Sequence, residues 1–87
     1  MVTVSQLLPE HVGRRAIVTT HNGQRKGVLT YGRNPSYFRR DVRHWWILIP
    51  SARFPGERDA LSLQWADSAE VEFLDLNEWQ AHPINGN

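Results

Sequence analysis

The sequence predicts a mostly β fold: a small, five-stranded, curled antiparallel barrel with a short helical turn before it and a short helix after it. Three observations carry this. Residues 14–31, RRAIVTTHNGQRKGVLTY, read as a β-hairpin closed by Asn22-Gly23, whose residues tolerate the positive φ of a two-residue turn. Residues 44–50, HWWILIP, form the most apolar segment and are too short for a buried helix. Two further alternating stretches follow, at Leu61–Trp65 and Val71–Leu74.

At 87 residues, with 40% hydrophobic and 22% charged residues, the chain is expected to be one globular domain, with a core over about 8–76 and a frayed tail at 83–87. Residues 3–13 read as a short helical lead-in. Thr3 or Ser5 can cap it, Pro9 suits a first helical turn, and Gly13 can release the chain into the first strand. In the hairpin, Asn22 and Gly23 are expected at the two positive-φ positions of a type I′ turn. That register sets Val18 opposite Gly27, Ile17 opposite Val28 and Ala16 opposite Leu29. Ala16, Val18, Leu29 and Tyr31 then share the core face. Arg15, Thr19, Lys26 and Thr30 share the other, with Ile17 and Val28 between them. A glycine at position 27, in mid-strand, signals a bulge or a bend of the kind that curls a sheet.

Gly32–Arg43 is the longest polar connection, with a turn signal at Asn34-Pro35-Ser36. In His44–Pro50, Trp45, Ile47 and Ile49 point one way, and Trp46 and Leu48 the other. The strand is therefore covered on both faces, or one face meets a partner. Ser51–Asp59 reads as a loop with a Phe54-Pro55-Gly56 turn. Leu61, Leu63 and Trp65 alternate with Ser62 and Gln64, which places Trp65 in the core. Asp67-Ser68-Ala69 links to a fifth strand around Val71 and Phe73. Asp75 and Glu78 have the spacing of a capping box for a helix at Leu76–Ala81, which Pro83 stops. The rival reading makes Ala69–Ala81 one helix capped by Ser68; the Glu70–Glu72 alternation favours the strand.

Taken together, Gly13, Ala16, Val18, the Asn22-Gly23 turn, Gly27 and Leu29, with Trp45–Ile49, Leu61–Trp65 and Val71–Leu74, resemble the small barrels of the Sm-like and Src-homology-3-like superfold over roughly residues 8–76. The resemblance implies a non-enzymatic binding module, often for nucleic acid or peptide, sometimes assembled into rings. Sm-like RNA binders carry an acidic residue and an Asn after the second strand and an Arg-Gly signal before the fifth. Here Gly32–Arg43 and Ala66–Ala69 match neither, so no family binding residue carries over, and fold alone does not fix function.

Charge narrows the function classes. The net charge is +1, but residues 1–50 hold eight Lys and Arg against two acidic residues, and residues 51–87 hold two against seven. This polarity of +6 against −5 points to a polyanionic partner for one half or to association of opposite faces. Arg33, Tyr37, Phe38, Arg39, Arg40 and Arg43, joined by Arg25 and Lys26 beside the hairpin turn, combine phosphate-pairing cations with rings that stack on unpaired bases. The alternative leaves these arginines solvated and uses Tyr37 and Phe38 to plug the barrel end.

Nucleic acid or a nucleotide is accordingly the leading expected ligand. Self-assembly or protein interaction through strand edges and tryptophans, with Trp45 or Trp46 at the contact, is the alternative. With no cysteine, thiolate metal sites and thiol nucleophiles are excluded. His11, His21, His44 and His82 lack metal-ligand spacing, and Ser51, Ser62 and Ser68 lack a nucleophile elbow. No metal, cofactor or enzymatic activity is expected. MVTVSQLLPEHVG lacks the flank and apolar length of a signal peptide, and no apolar run approaches a membrane span, so the expected location is cytoplasmic.

Overall fold

The computed structural model describes residues 2–32 and 43–81. In chain order these form β1 (Val2–Thr3), two 3₁₀ turns (Val4–Gln6 and Pro9–His11), β2 (Arg15–Thr20), β3 (Gly23–Gly32), β4 (His44–Pro50), β5 (Arg58–Ser62), β6 (Glu70–Phe73) and α1 (Leu76–Ala81). The strands make one antiparallel sheet in the order β1-β6-β2-β3-β4-β5. The class is mostly β, as expected. The strand count is six among the described residues, and the sheet is open, with β1 and β5 as its edges. No helix of the described residues is long and apolar enough to cross a membrane.

The helical lead-in is two separate 3₁₀ turns. Gln6 Oε1 accepts the Thr3 N–H at 3.0 Å, and His11 Nδ1 accepts the Leu8 N–H at 2.9 Å, so each turn is held by a side chain three residues on. Pro9 starts the second turn, where its missing N–H costs nothing. Gly13, at φ 87, turns the chain into β2 and donates its N–H to Leu29 O at 2.8 Å. The Phe73 ring lies between His11, with ring centroids 4.7 Å apart, and the Arg14 guanidinium, 4.7 Å from its centroid, which ties the lead-in to β6.

The hairpin forms, but its register differs from the expected one. Thr20 pairs with Gly23, Val18 with Arg25, Ile17 with Lys26 and Ala16 with Gly27. The turn is His21-Asn22, and only Gly23, at φ 110, has positive φ; Asn22 does not. The reason is Thr20, whose Oγ1 accepts the Asn22 N–H at 3.1 Å and donates to Gly23 O at 3.3 Å. This side-chain turn moves the bend one residue towards the N-terminus and leaves the positive-φ position to the glycine after it. Each partner shifts by two residues, so the faces survive. Ala16, Val18 and Leu29 are buried on the core face as expected. Tyr31 is half-exposed, because it stands beyond the end of the β2 ladder.

β3 changes partner half-way. Residues 23–28 pair with β2, residues 28–32 pair with β4, and Val28 belongs to both ladders. Gly27 sits at the change. A Cβ on it would lie 2.3 Å from Leu48 O and 2.6 Å from Ile47 Cγ1. Gly27 faces the core side, as its partner Ala16 does, so β4 passes across the core face of the hairpin at this point. The expected bend is therefore a close backbone approach that coils the sheet.

The core gathers Val4, Leu7, Ala16, Val18, Leu29, Ile47, Leu63, Ala69 and Val71 inside that coil. Leu29, Ile47, Val18 and Val71 are fully buried, each contributing on the order of 1.5–3 kcal/mol of apolar burial. The gap between the edges is spanned by the 63–69 link: Leu63 N–H bonds Trp45 O at 2.9 Å, and Val4 and Ser5 donate to Ala69 and Asp67 carbonyls, each at 3.0 Å.

β5 starts at Arg58, inside the expected loop, and stops at Ser62, before the expected strand ends. Ser62 Oγ accepts the Gln64 N–H at 3.2 Å, and Ala66 N–H returns to Leu63 O at 3.1 Å. The resulting turn breaks the alternation and swings Trp65 out of the core to 90% exposure. The capping box of α1 is present in both directions, Glu78 N–H to Asp75 Oδ1 at 2.7 Å and Asp75 N–H to Glu78 Oε1 at 3.1 Å. The single helix over 69–81 is excluded by β6. α1 lies on the outer face, where Lys26 Nζ bonds Trp79 O and sits 4.5 Å from the Trp79 ring centroid. Ile17 and Leu74 are buried there, outside the main core.

Gly27→Ala is expected to destabilise the fold by about 3 kcal/mol, at the top of the overpacking range, because both obstacles belong to a neighbouring strand. Gly23→Ala meets only the Arg25 side chain, at an ordinary 3.7 Å, and has the positive φ to bear, for a loss of about 1 kcal/mol. Urea titration of the two variants checks the order; a Gly27→Ala protein as stable as wild type would refute the close approach.

Candidate functional site

A cleft of about 360 Å³ opens between the hairpin tip and the end of β5. Its floor is core: Val18, Ile47 and Leu63. One wall is the tip, with Thr20, His21, Asn22 and Arg25; the other is Leu61, Ser62, Trp65 and Ala66. The walls meet because β4, crossing the hairpin at Gly27, carries β5 with it towards the tip. A shallower hollow on the far side of Trp65 and His21 is lined by Ser68, Ala69 and Glu70 among others. The Trp65 indole thus stands between two concavities, with no ring partner among the described residues.

Arg25 is the expected site residue that reaches this cleft. It pairs with Val18 across the hairpin and so projects to the core side, half-buried. Its Nη1 donates to Gln24 O at 2.9 Å. Among the described residues no Asp or Glu lines the cleft, so Arg25 sets the sign of its rim. Lys26 projects to the opposite face and is engaged with Trp79. Arg43 is exposed just before β4, at the other end of β3, about 30 Å of strand away from the tip. Arg25 and Arg43 therefore do not converge, and Arg25 and Lys26 do not share a face. Arg33, Tyr37, Phe38, Arg39 and Arg40 lie outside the described residues.

The two tryptophans expected at a contact are turned inward. Trp46 is buried, with its Nε1–H donated to Gly32 O at 3.0 Å and its ring on His44, centroids 4.3 Å apart. Trp45 is half-buried and packs edge-on to Tyr31 at 5.4 Å. On the strand's second face Trp46 lies over His44 and Leu48 is half-buried, and the most exposed indole among the described residues is Trp65. The sequence signal that would have exposed Trp65 is the Ser62 hydroxyl two residues before Gln64, a turn-former inside an apparent strand.

His44 Nε2 is hydrogen-bonded to Ser62 Oγ at 2.8 Å. The geometry resembles half of a nucleophile–base pair, but His44 Nδ1 is buried without a partner, so among the described residues no carboxylate orients the ring as a base. The pair is a cross-strand tie between β4 and β5. Among the described residues no group of three or more His, Cys, Asp or Glu is placed to hold a metal ion.

Compared with protein-family models, with curated proteins and with solved structures, the chain matches none.

Burial lowers the His44 pKa below its ordinary value of 6.5. The unfolded chain therefore binds the His44 proton at a higher pH than the folded one. The His44 contribution to stability is complete above about pH 6.5 and is lost as pH drops towards the folded value. His44→Gln is expected to flatten the fall below pH 6.5, read from thermal melts; an unchanged pH profile would contradict the burial of the ring nitrogen.

Proposed function

We propose that the chain is a non-enzymatic protein-interaction module whose contact site is the Trp65 cleft and the β5 edge beside it. The observation that carries this is the Trp65 indole, 90% exposed over an apolar floor. Large aromatics at the mouth of an apolar cleft are the side chains that anchor interfaces. The open edge of β5 adds backbone groups for a partner. The strand order, with the last strand returning beside the first long one, supports the resemblance to small-barrel binding modules. A second reading has a specific support. Arg25 beside an exposed indole suits an anionic ligand with a flat ring, a nucleotide or an unpaired nucleic-acid segment.

Trp65→Ala should leave stability within about 0.5 kcal/mol of wild type, because the ring has almost no contact to lose. Selection from phage-displayed random peptides on dilute protein should enrich peptides with apolar anchors. Trp65→Ala should weaken a synthetic copy of one by about tenfold or more. Failure to enrich, or binding indifferent to Trp65, removes the protein-interaction reading. Salt-sensitive binding of single-stranded oligonucleotide that requires Arg25 and Trp65 would put the second reading in its place.

A further inference from the structure

We infer that the partner at this site is a second copy of the chain, added antiparallel along β5 about a two-fold axis at Leu61. The inference rests on the protein-interaction reading above and names its partner.

Backbone parity gives the first argument. At one end of the β4–β5 ladder Leu63 N–H bonds Trp45 O, and at the other Ser51 N–H bonds Glu57 O. Odd-numbered residues of this strand thus turn their backbone groups towards β4. Pro50, which has no N–H, stands opposite Arg58, in an even position where none is needed. Alternation then turns the N–H and C=O groups of Arg58, Ala60 and Ser62 outward, and among the described residues β5 has β4 as its one neighbour in the sheet. All three residues are exposed. This is an open donor and acceptor row, and an added strand satisfies it with its own outward row.

Charge fixes the register. Two copies of β5 paired antiparallel about an axis must match even residues with even ones. Pairing Arg58 with Ala60 sets the two Asp59 carboxylates face to face. Pairing Arg58 with Ser62 puts Ala60 at the axis and sets Asp59 against Leu61, so the two Leu61 side chains do not meet. Pairing Ala60 with Ser62 sets Leu61 against Leu61 at the axis, where close-paired side chains meet. It also places Asp59 of the second copy opposite Leu63.

Leu63 and Arg25 both line the cleft, which has no carboxylate among the described residues. Asp59 projects to the same face as Leu61, two residues away, so it arrives where Arg25 has donors to spare. The arrangement is reciprocal: Arg25 of each copy receives Asp59 of the other. Trp65, at the rim of the cleft, gains the added strand as its cover. The polarity of the sequence, basic in its first half and acidic in its second, is then used across the axis as well as within the chain.

Light scattering over a range of concentrations should show a species of twice the 10.1 kDa chain mass. Ala60→Pro removes an outward N–H without touching the β4 ladder, and should return the mass to one chain with the fold intact. Arg25→Asp and Asp59→Arg, each alone, should weaken the dimer by about tenfold or more, since each change acts twice across the axis. The double variant should restore it. A single-chain mass at every concentration, a dimer that survives Ala60→Pro, or a double variant no tighter than the singles each overturns the inference. The charge pair keeps the test decisive should the proline variant fail to fold. Trp65-dependent peptide binding by a strictly monomeric protein would leave the protein-interaction reading standing without it.

Discussion

The close approach at Gly27 is the constraint on which the rest of the molecule depends. A carbonyl oxygen of β4 occupies the space where any side chain at 27 would begin. That space exists because the residue has no Cβ, and its occupation lets one long strand serve two ladders that face each other across the core. Without it β3 would carry β2 and β4 side by side in a flatter sheet. Ile47 would then move away from Val18 and Leu29, and the apolar centre would lose its middle layer. A hydrogen in place of a methyl group at one position thus fixes the path of β4, and through it the position of β5.

The site follows from the same geometry. The hairpin tip and the end of β5 are far apart in sequence and come together because the sheet is coiled. The coil is incomplete, and the remaining gap has two sides of different chemistry. One is a row of backbone donors and acceptors along β5. The other is an apolar hollow reaching down to core residues, with one guanidinium at its rim. A sheet that stops short of closure must blunt its edge or use it. β1 is only two residues long and is followed at once by a 3₁₀ turn, so that edge is blunted. β5 runs five residues, with Arg58 and Asp59 at its start and Ala60, Leu61 and Ser62 after them, which leaves it able to pair.

Much of the fold was legible in the sequence because it is encoded locally. The Asp75–Glu78 capping box, the start at Pro9, the turn at Gly13 and the two faces of the hairpin all depend on residues within four positions of one another. Two of the errors share a cause, a hydroxyl side chain that competed with a backbone pattern. Thr20 captured the Asn22 N–H and moved the hairpin turn; Ser62 captured the Gln64 N–H and cut a strand short. Alternation alone assigned Trp65 to the core, and a turn of one residue reversed it. The site was legible only in part. Arg25 could be picked out as a cation beside a turn, but its separation from Lys26 required the register, and its company with Leu61 and Trp65 required the coil. Residues 33 and 37–40, which anchored the expected cationic surface, are not among those described, so the reading of the site now rests on the tip and β5.

The most direct test of this account is amide hydrogen exchange resolved along β5 at low and at high protein concentration. In dilute protein the N–H groups of Leu61 and Leu63 should be protected by β4, while those of Ala60 and Ser62 exchange freely, a two-residue alternation that only an open edge produces. At high concentration Ala60 and Ser62 should become protected and Leu61 and Leu63 should hardly change. Uniform protection along the strand in dilute protein, or an alternation that concentration does not alter, would contradict the account.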